Sequence, residues 1–406
     1  PSPKSTTTND SLAGNSATAS VVKVSWPEIE GLIGQHPRLV AGGLRIKATR
    51  GAAANAAAFP NPTLEGTIGE GNARGSDESR TEWGLSLSLP MSWIAQRKSK
   101  LNAVEAEIDA AVAERESLQR DVVLELQTLF WNLVYDEERV RALEALERQT
   151  AELARTARLR VEKGEARPVE APRVEIELEK VTSELESARI SLASRQARLA
   201  LWLGISEGKT VATEADLSRL PTPVDLETAL SEMRTRHPAL TAARARVRTL
   251  SAKLCTEKLA RVPSVSLTGF VDEELDRTAY GAGIEVELPL WNWNRGGIAE
   301  AAARLAAGRK DMEAAAFEMD SAVIDAQAAC TASVQAATRL KENVLPRSEA
   351  AASIMERTYR LGDAGLLDVI DARRTLLESR RSYLSALARA QIDCSRLRAI
   401  VGEDIS

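Results

Sequence analysis

Two aspartates, Asp368 and Asp371, follow closely on a glycine-marked break at Gly362. Residues three apart on a helix share a face, so the pair would present two carboxylates together near a helix start. There they are either acids favoured by the positive end of the helix dipole or a charged pair facing ions. Other residues able to do chemistry are few. The two histidines, His36 and His237, each precede a proline, and neither has a neighbouring cysteine or second histidine to build a tetrahedral metal set. Each is expected to do a structural task, and no metal is expected. The three cysteines, Cys255, Cys330 and Cys394, lie within helical patterns without C-x-x-C spacing. An odd, scattered set is not a disulfide framework, and the expectation is three small buried hydrophobes. There is no glycine-rich phosphate loop, nucleophile elbow or H-E-x-x-H pattern. Neither an enzyme nor a cofactor is expected.

Composition points to the elements that must position these residues. Of 406 residues, 27% are charged and the formal net charge is -5, without the basic stripe of a nucleic-acid binder. Aromatics make up only 4%; alanine, leucine, glutamate and arginine dominate, as in long helices. No apolar run is long enough for a transmembrane helix. Residues 1–20, rich in Ser, Thr and Asn, read as a flexible tether or the start of a processed mature chain.

The chain is written twice. His36-Pro37, Leu89-Pro90, Gly164 and Trp202-Leu203-Gly204 recur as His237-Pro238, Leu288-Pro289, Gly362 and Ile400-Val401-Gly402, each about two hundred residues on. The expected division is a first repeat over 21–204, a linker over 205–224 containing Pro221 and Pro223, a second repeat over 225–402 and a short tail over 403–406. Each half reads helix, strand, strand, long helix, tight turn, helix. Ser25, Pro27 and Glu28 have the spacing of a capped helix start. The helix from Ser92 to Lys163, roughly 70 residues, would run about 105 Å. Its counterpart runs from Trp293 to Leu361. Helices of that length need coiled-coil partners.

The strands fall at about 63–71 and 82–89 in the first half and 264–271 and 280–288 in the second. Trp83, Leu85, Leu87 and Leu89 alternate with Glu82, Gly84, Ser86 and Ser88. Tyr280, Ala282, Ile284, Val286 and Leu288 alternate with Gly281, Gly283, Glu285 and Glu287. Thr63–Gly71 and Ser264–Val271 alternate more weakly, with Phe270 on the polar side. Such alternation fits either a sheet on a soluble core or a membrane barrel with lipid outside and water inside. Trp83 and Tyr280 sit at the outer ends of their apolar rows, where lipid-facing aromatics gather, and polar hairpin loops are expected at Asn72–Arg80 and Asp272–Thr278. Four strands cannot close a barrel alone, so a barrel requires several chains.

The duplication, the two hairpins, and Tyr359-Arg360-Leu361-Gly362 leading into Leu367-Asp368-Val369-Ile370-Asp371-Ala372 resemble the TolC family of outer-membrane efflux proteins across residues 25–402. The segment Leu288-Pro289-Leu290-Trp291-Asn292-Trp293-Asn294-Arg295-Gly296-Gly297-Ile298 resembles the CzcC- and CusC-like branch serving heavy-metal exporters. The resemblance implies a mainly α protein with a membrane β-barrel portion. It implies a homotrimer in the outer membrane of a Gram-negative bacterium, sharing a twelve-strand barrel in lipid above a long periplasmic α-barrel. A periplasmic adaptor and an inner-membrane pump of the RND type would dock below. It also implies a gate and selectivity role for Asp368, Asp371 and Tyr359. The turns bearing Gly164, Glu165, Arg167, Gly362, Asp363 and Gly365 would form the tip the adaptor touches. Ala364 stands where better-known members carry a bracing arginine; Arg360 and Arg167 are the candidates to replace it. The alternatives are a duct for organic compounds or for type I secretion, and a soluble coiled-coil scaffold.

Overall fold

The computed structural model describes residues 20–72, 79–205, 209–274 and 277–402. The expected tether and C-terminal tail, except Ser20, lie outside them, as do residues 73–78 of the first hairpin loop. In chain order the first half holds β1 (Ser20–Val24), α1 (Trp26–Leu32), a 3-10 turn at Ile33–Gln35, α2 (Pro37–Ala57), β2 (Thr63–Asn72), β3 (Ser79–Pro90), α3 (Trp93–Glu162) and α4 (Glu170–Trp202). The second holds β4 (Lys209–Thr213), α5 (Leu226–Arg236), α6 (Pro238–Leu259), β5 (Ser264–Glu274), β6 (Arg277–Glu287), α7 (Arg295–Arg339), a π-helical turn at Leu340–Val344, α8 (Leu345–Leu361) and α9 (Leu366–Val401).

Local chemistry sets the helix starts. The Ser25 backbone N–H and hydroxyl both donate to Glu28 Oε2, at 2.8 and 2.9 Å, tying off the first turn of α1. His36 and His237 are the N-caps of α2 and α6. The Nδ1 of each accepts from the backbone N–H two residues on, Arg38 at 3.3 Å and Ala239 at 3.2 Å, with proline at the first helical position. The two histidines thus do the same structural task. The α3 helix is continuous over 70 residues. Its counterpart is interrupted, because Pro346 has no N–H for the carbonyl of Glu342 and its ring would clash there. A π-turn absorbs the mismatch.

The chain forms two compact units. One comprises residues up to 32, 125–222 and 332–393. Its core includes Phe130, Leu133, Leu143, Leu185 and Leu199, and Trp26 packs edge-on against Phe130 at 5.9 Å. Here β1 and β4 pair in parallel, Val22 opposite Val211. The expected linker therefore contains an ordered strand. Val211 is fully buried, and Glu137 accepts from the Thr213 N–H at 2.9 Å and hydroxyl at 2.6 Å. Lys209-Thr210-Val211-Ala212-Thr213 has no strict apolar and polar alternation, so its sequence does not announce a strand.

The other unit comprises 33–124, 223–331 and residues from 394. It holds an antiparallel four-stranded sheet in the order β2-β3-β5-β6, and helices whose core includes Leu39, Val122, Met233, Leu240, Val323 and Leu397. Cys330 on α7 and Cys394 on α9 are joined by a disulfide, while Cys255 is free and exposed. The expectation of three unlinked, buried cysteines is therefore corrected. Parity and spacing carry no information about two helices that meet 64 residues apart in sequence.

Candidate functional site: an apolar sheet face and a capped helical end

The sheet register assembles the alternating residues into two faces. Leu64 pairs with Leu87 and Ile68 with Trp83. Leu85 pairs with Val271 and Leu89 with Leu267. Val265 pairs with Val286, Leu267 with Ile284, and Val271 with Tyr280. Side chains opposite one another point the same way, so these residues form one apolar surface. That whole surface is exposed; Trp83 is 46% and Tyr280 84% accessible. Both aromatics lie toward the hairpin ends of their rows, as expected. The opposite face carries Glu65, Ser86, Ser88, Thr268, Asp272, Glu285 and Glu287. Phe270 stands among them. Its ring lies over Gly281, where a Cβ would come within 2.7 Å of the ring edge, so the aromatic covers a glycine gap in the neighbouring strand.

The second hairpin is tighter than its polar sequence suggests. Glu273 pairs with Thr278 and Glu274 with Arg277, leaving two residues between strands where a seven-residue loop was expected. Cross-strand contacts account for the extension. Thr278 Oγ1 donates to Glu273 Oε2 and Arg277 Nε to Glu274 Oε2, each at 2.7 Å. β2 and β6 are the sheet's two edges.

In the other unit, two turns end the helical hairpins. α3 stops at Gly164, whose φ of +71° only glycine adopts freely. The N–H groups of Gly164 and Glu165 return to the carbonyls of Val161 and Arg160 at 3.0 and 2.8 Å. α8 stops the same way at Gly362, φ +89°, with Gly362 and Asp363 donating to Tyr359 and Thr358, both at 3.1 Å. Gly164, Glu165, Arg167, Gly362, Asp363 and Gly365 are all exposed. Beneath them lies one cluster drawn from four helices: Leu153 and Ala157 of α3, Val174 of α4, Tyr359 of α8, and Leu366, Val369 and Ile370 of α9.

The three residues expected to act together differ in burial. Asp368 and Asp371 are exposed on the first turns of α9. Asp368 Oδ2 accepts from the Gly365 N–H at 3.0 Å, so this carboxylate also caps the helix. Asp371 faces Arg374, whose guanidinium donates through Nε to Glu177 Oε1 at 2.6 Å. Glu177 first, and Asp371 further, hold Arg374 charged above its ordinary range. Tyr359 is instead buried in the cluster, and its hydroxyl has no hydrogen-bond partner. The arginine against it is Arg160, 5.1 Å from the ring centroid. Of the two candidate bracing arginines, Arg360 is exposed and 3.9 Å from Glu356, and Arg167 is exposed in its turn. Arg373 does brace the bundle, donating to Glu356 Oε1 at 2.8 Å and to the Gln149 carbonyl at 3.1 Å. Sequence reasoning missed Arg160, Arg373 and Arg374, because nothing in their local pattern distinguishes them from other surface arginines.

Comparison with known proteins bears on both regions. The cobalt-zinc-cadmium resistance protein CzcC of Cupriavidus metallidurans is 26% identical over 372 residues, covering 91% of this chain and 87% of that one. The nickel and cobalt resistance protein CnrC of the same organism is 25% identical over 286 residues, covering 70% and 67%. The solved structure of CusC, described as forming a transmembrane channel, superposes with a TM-score of 0.78 at 17% identity, covering 97% of this chain and 96% of that one. The description of the outer membrane efflux protein family matches residues 29–205 and 229–403. With an exposed apolar sheet, two like-capped hairpins and a match through both halves, the chain belongs to the outer membrane efflux protein family and is an efflux channel protein.

Proposed function

We propose that the chain is one of three protomers of an outer-membrane duct that exports heavy-metal cations from the periplasm. One observation carries this reading: the continuous exposed apolar face of a four-stranded sheet whose edges, β2 and β6, have no neighbouring strand among the described residues. In water such a face would aggregate, and in lipid open edges leave backbone groups unpaired. Edge-to-edge closure of three copies into a twelve-strand barrel solves both problems. The apolar face then meets lipid, with Trp83 and Tyr280 at the interface, and the face bearing Glu65, Glu285 and Glu287 lines the water-filled lumen. The helices would form the periplasmic tunnel. Asp368 and Asp371, repeated about a three-fold axis, would ring its inner end, and the core around Tyr359 would hold that end together. The exposed turns at Gly164, Glu165, Arg167, Gly362, Asp363 and Gly365 would meet the periplasmic adaptor of an RND-type pump, which supplies the energy. The metal assignment follows the cobalt, zinc, cadmium and nickel resistance named for its relatives.

The test is growth of the parent organism with this gene deleted. Tolerance to cobalt, zinc, cadmium or nickel should fall several-fold and return with the intact gene, while tolerance to organic toxicants is unchanged. The reverse pattern would assign the duct to an organic-compound pump. Light scattering of the detergent-solubilised protein should give a trimer; a detergent-free monodisperse monomer contradicts the barrel.

A further inference from the structure

The disulfide divides the two halves of an otherwise repeated architecture. Cys330 and Cys394 are both buried, at 0% and 2% accessibility, and their bond joins α7 to α9. The covalent loop it closes contains the π-turn at Leu340–Val344, Pro346, all of α8, the Gly362 turn and the first turns of α9 with Asp368 and Asp371. In the first half, α3 and α4 make the equivalent hairpin through Gly164. No cysteine stands in either helix, and Asn132 and Gln196 occupy the corresponding positions. That hairpin is held nearby by a non-covalent tie, the ion pair between Arg195 and the buried carboxylate of Asp136.

We infer that the disulfide is a clasp that makes the second hairpin a covalently closed loop, fixed at its base and deformable only beyond it, while the first hairpin stays free to part. The π-turn supplies the deformable point. It begins ten residues past Cys330, where the regular hydrogen-bond ladder is already broken. Constraint at the base and irregularity beyond it confine any rearrangement of this hairpin to residues 331–393. Forming the clasp removes two electrons and two protons from the thiols. A disulfide-carrying oxidoreductase accepts them and leaves as its dithiol, so the clasp closes only in an oxidising compartment. Burial of both sulfurs then slows attack by reductants on the bond. The inference rests on the fold and not on the export reading.

Two measurements test it on the full-length protein in detergent or lipid. The first is alkylation under denaturing, non-reducing conditions followed by mass spectrometry. One label, on Cys255, is expected without reductant, and three labels after reduction. Three labels without reductant would overturn the clasp. The second is hydrogen exchange of the oxidised protein against the C330S/C394S variant and against oxidised protein carrying D136N. Opening the clasp should accelerate exchange at least tenfold in residues 325–344 and 385–398, and leave the α3–α4 hairpin unchanged. Asp136→Asn should do the converse. If C330S/C394S does not assemble, reduction of the assembled wild-type protein provides the same comparison. Equal exchange with and without the bond would mean that it constrains nothing.

Discussion

His237 shows how one side chain can be legible in role and hidden in consequence. Its place before Pro238, mirrored by His36 before Pro37, announces a cap, and its Nδ1 accepts the Ala239 N–H. Sequence does not reveal that the ring is buried, nor that Arg120 lies close to it. Burial, and then the charge of Arg120, push its pKa from 6.5 down to about 4. The folded protein therefore keeps this imidazole neutral, while the unfolded chain takes up a proton below pH 6.5. The sign follows: the contribution is fully present above pH 6.5, falls as pH drops toward about 4, and levels off below it. The shift corresponds to at most about 3 kcal/mol. His237→Asn keeps a capping oxygen and removes the titration. In thermal unfolding of the solubilised protein, the variant should lose less stability than wild type between pH 6.5 and 4; parallel curves would show that His237 does not couple folding to pH. The cysteine pair was illegible for a related reason. Local pattern cannot tell which two helices will meet, and the bond depends on that alone.

Among the elements, the most strongly patterned were the most legible. The apolar rows of β3 and β6 are legible residue by residue, and the register places them together on one exposed face. The long α3 helix and both Gly turns were equally clear, since helical period and a left-handed glycine are local signals. Sequence is silent where neighbours decide. The polar residues from Asp272 to Thr278 read as loop, yet pair across the hairpin through their charges and hydroxyls. The strand β4 is specified by Glu137 and β1 rather than by its own five residues. The sheet makes a direct prediction about faces. Leu87→Arg or Ile284→Arg places a charge on the apolar face, which in lipid costs roughly 2–4 kcal/mol at mid-bilayer. Ser86→Arg and Glu285→Arg place it on the polar face, in water. In a heat-modifiability gel of membrane fractions, the first two variants should lose most assembled protein and the latter two should retain it. Equal loss in all four would show that neither face meets lipid.

At the scale of the whole molecule, the proposed trimer would give the aspartates a meaning the single chain lacks. Within one protomer Asp368 is a capping acid and Asp371 is an exposed carboxylate beside an ion-paired arginine. In the proposed trimer the same residues would become two stacked rings, and the combined field of six carboxylates would attract polyvalent cations and exclude anions. Capping and ring field must be separated for a clean test. Replacement by alanine would remove both, because losing the cap on the Gly365 N–H alone costs about 1 kcal/mol of local helix stability. Asparagine retains an acceptor for that N–H while removing the charge. D368N/D371N should therefore keep the turn intact. In single-channel recordings it should lose cation selectivity and become insensitive to block by divalent and trivalent cations, with higher basal conductance than wild type. D371N alone should show a partial effect, since Arg374 already offsets part of that charge and remains engaged by Glu177. If the double variant keeps wild-type selectivity and closure, the aspartates serve only to start α9, and the constriction of the duct lies elsewhere.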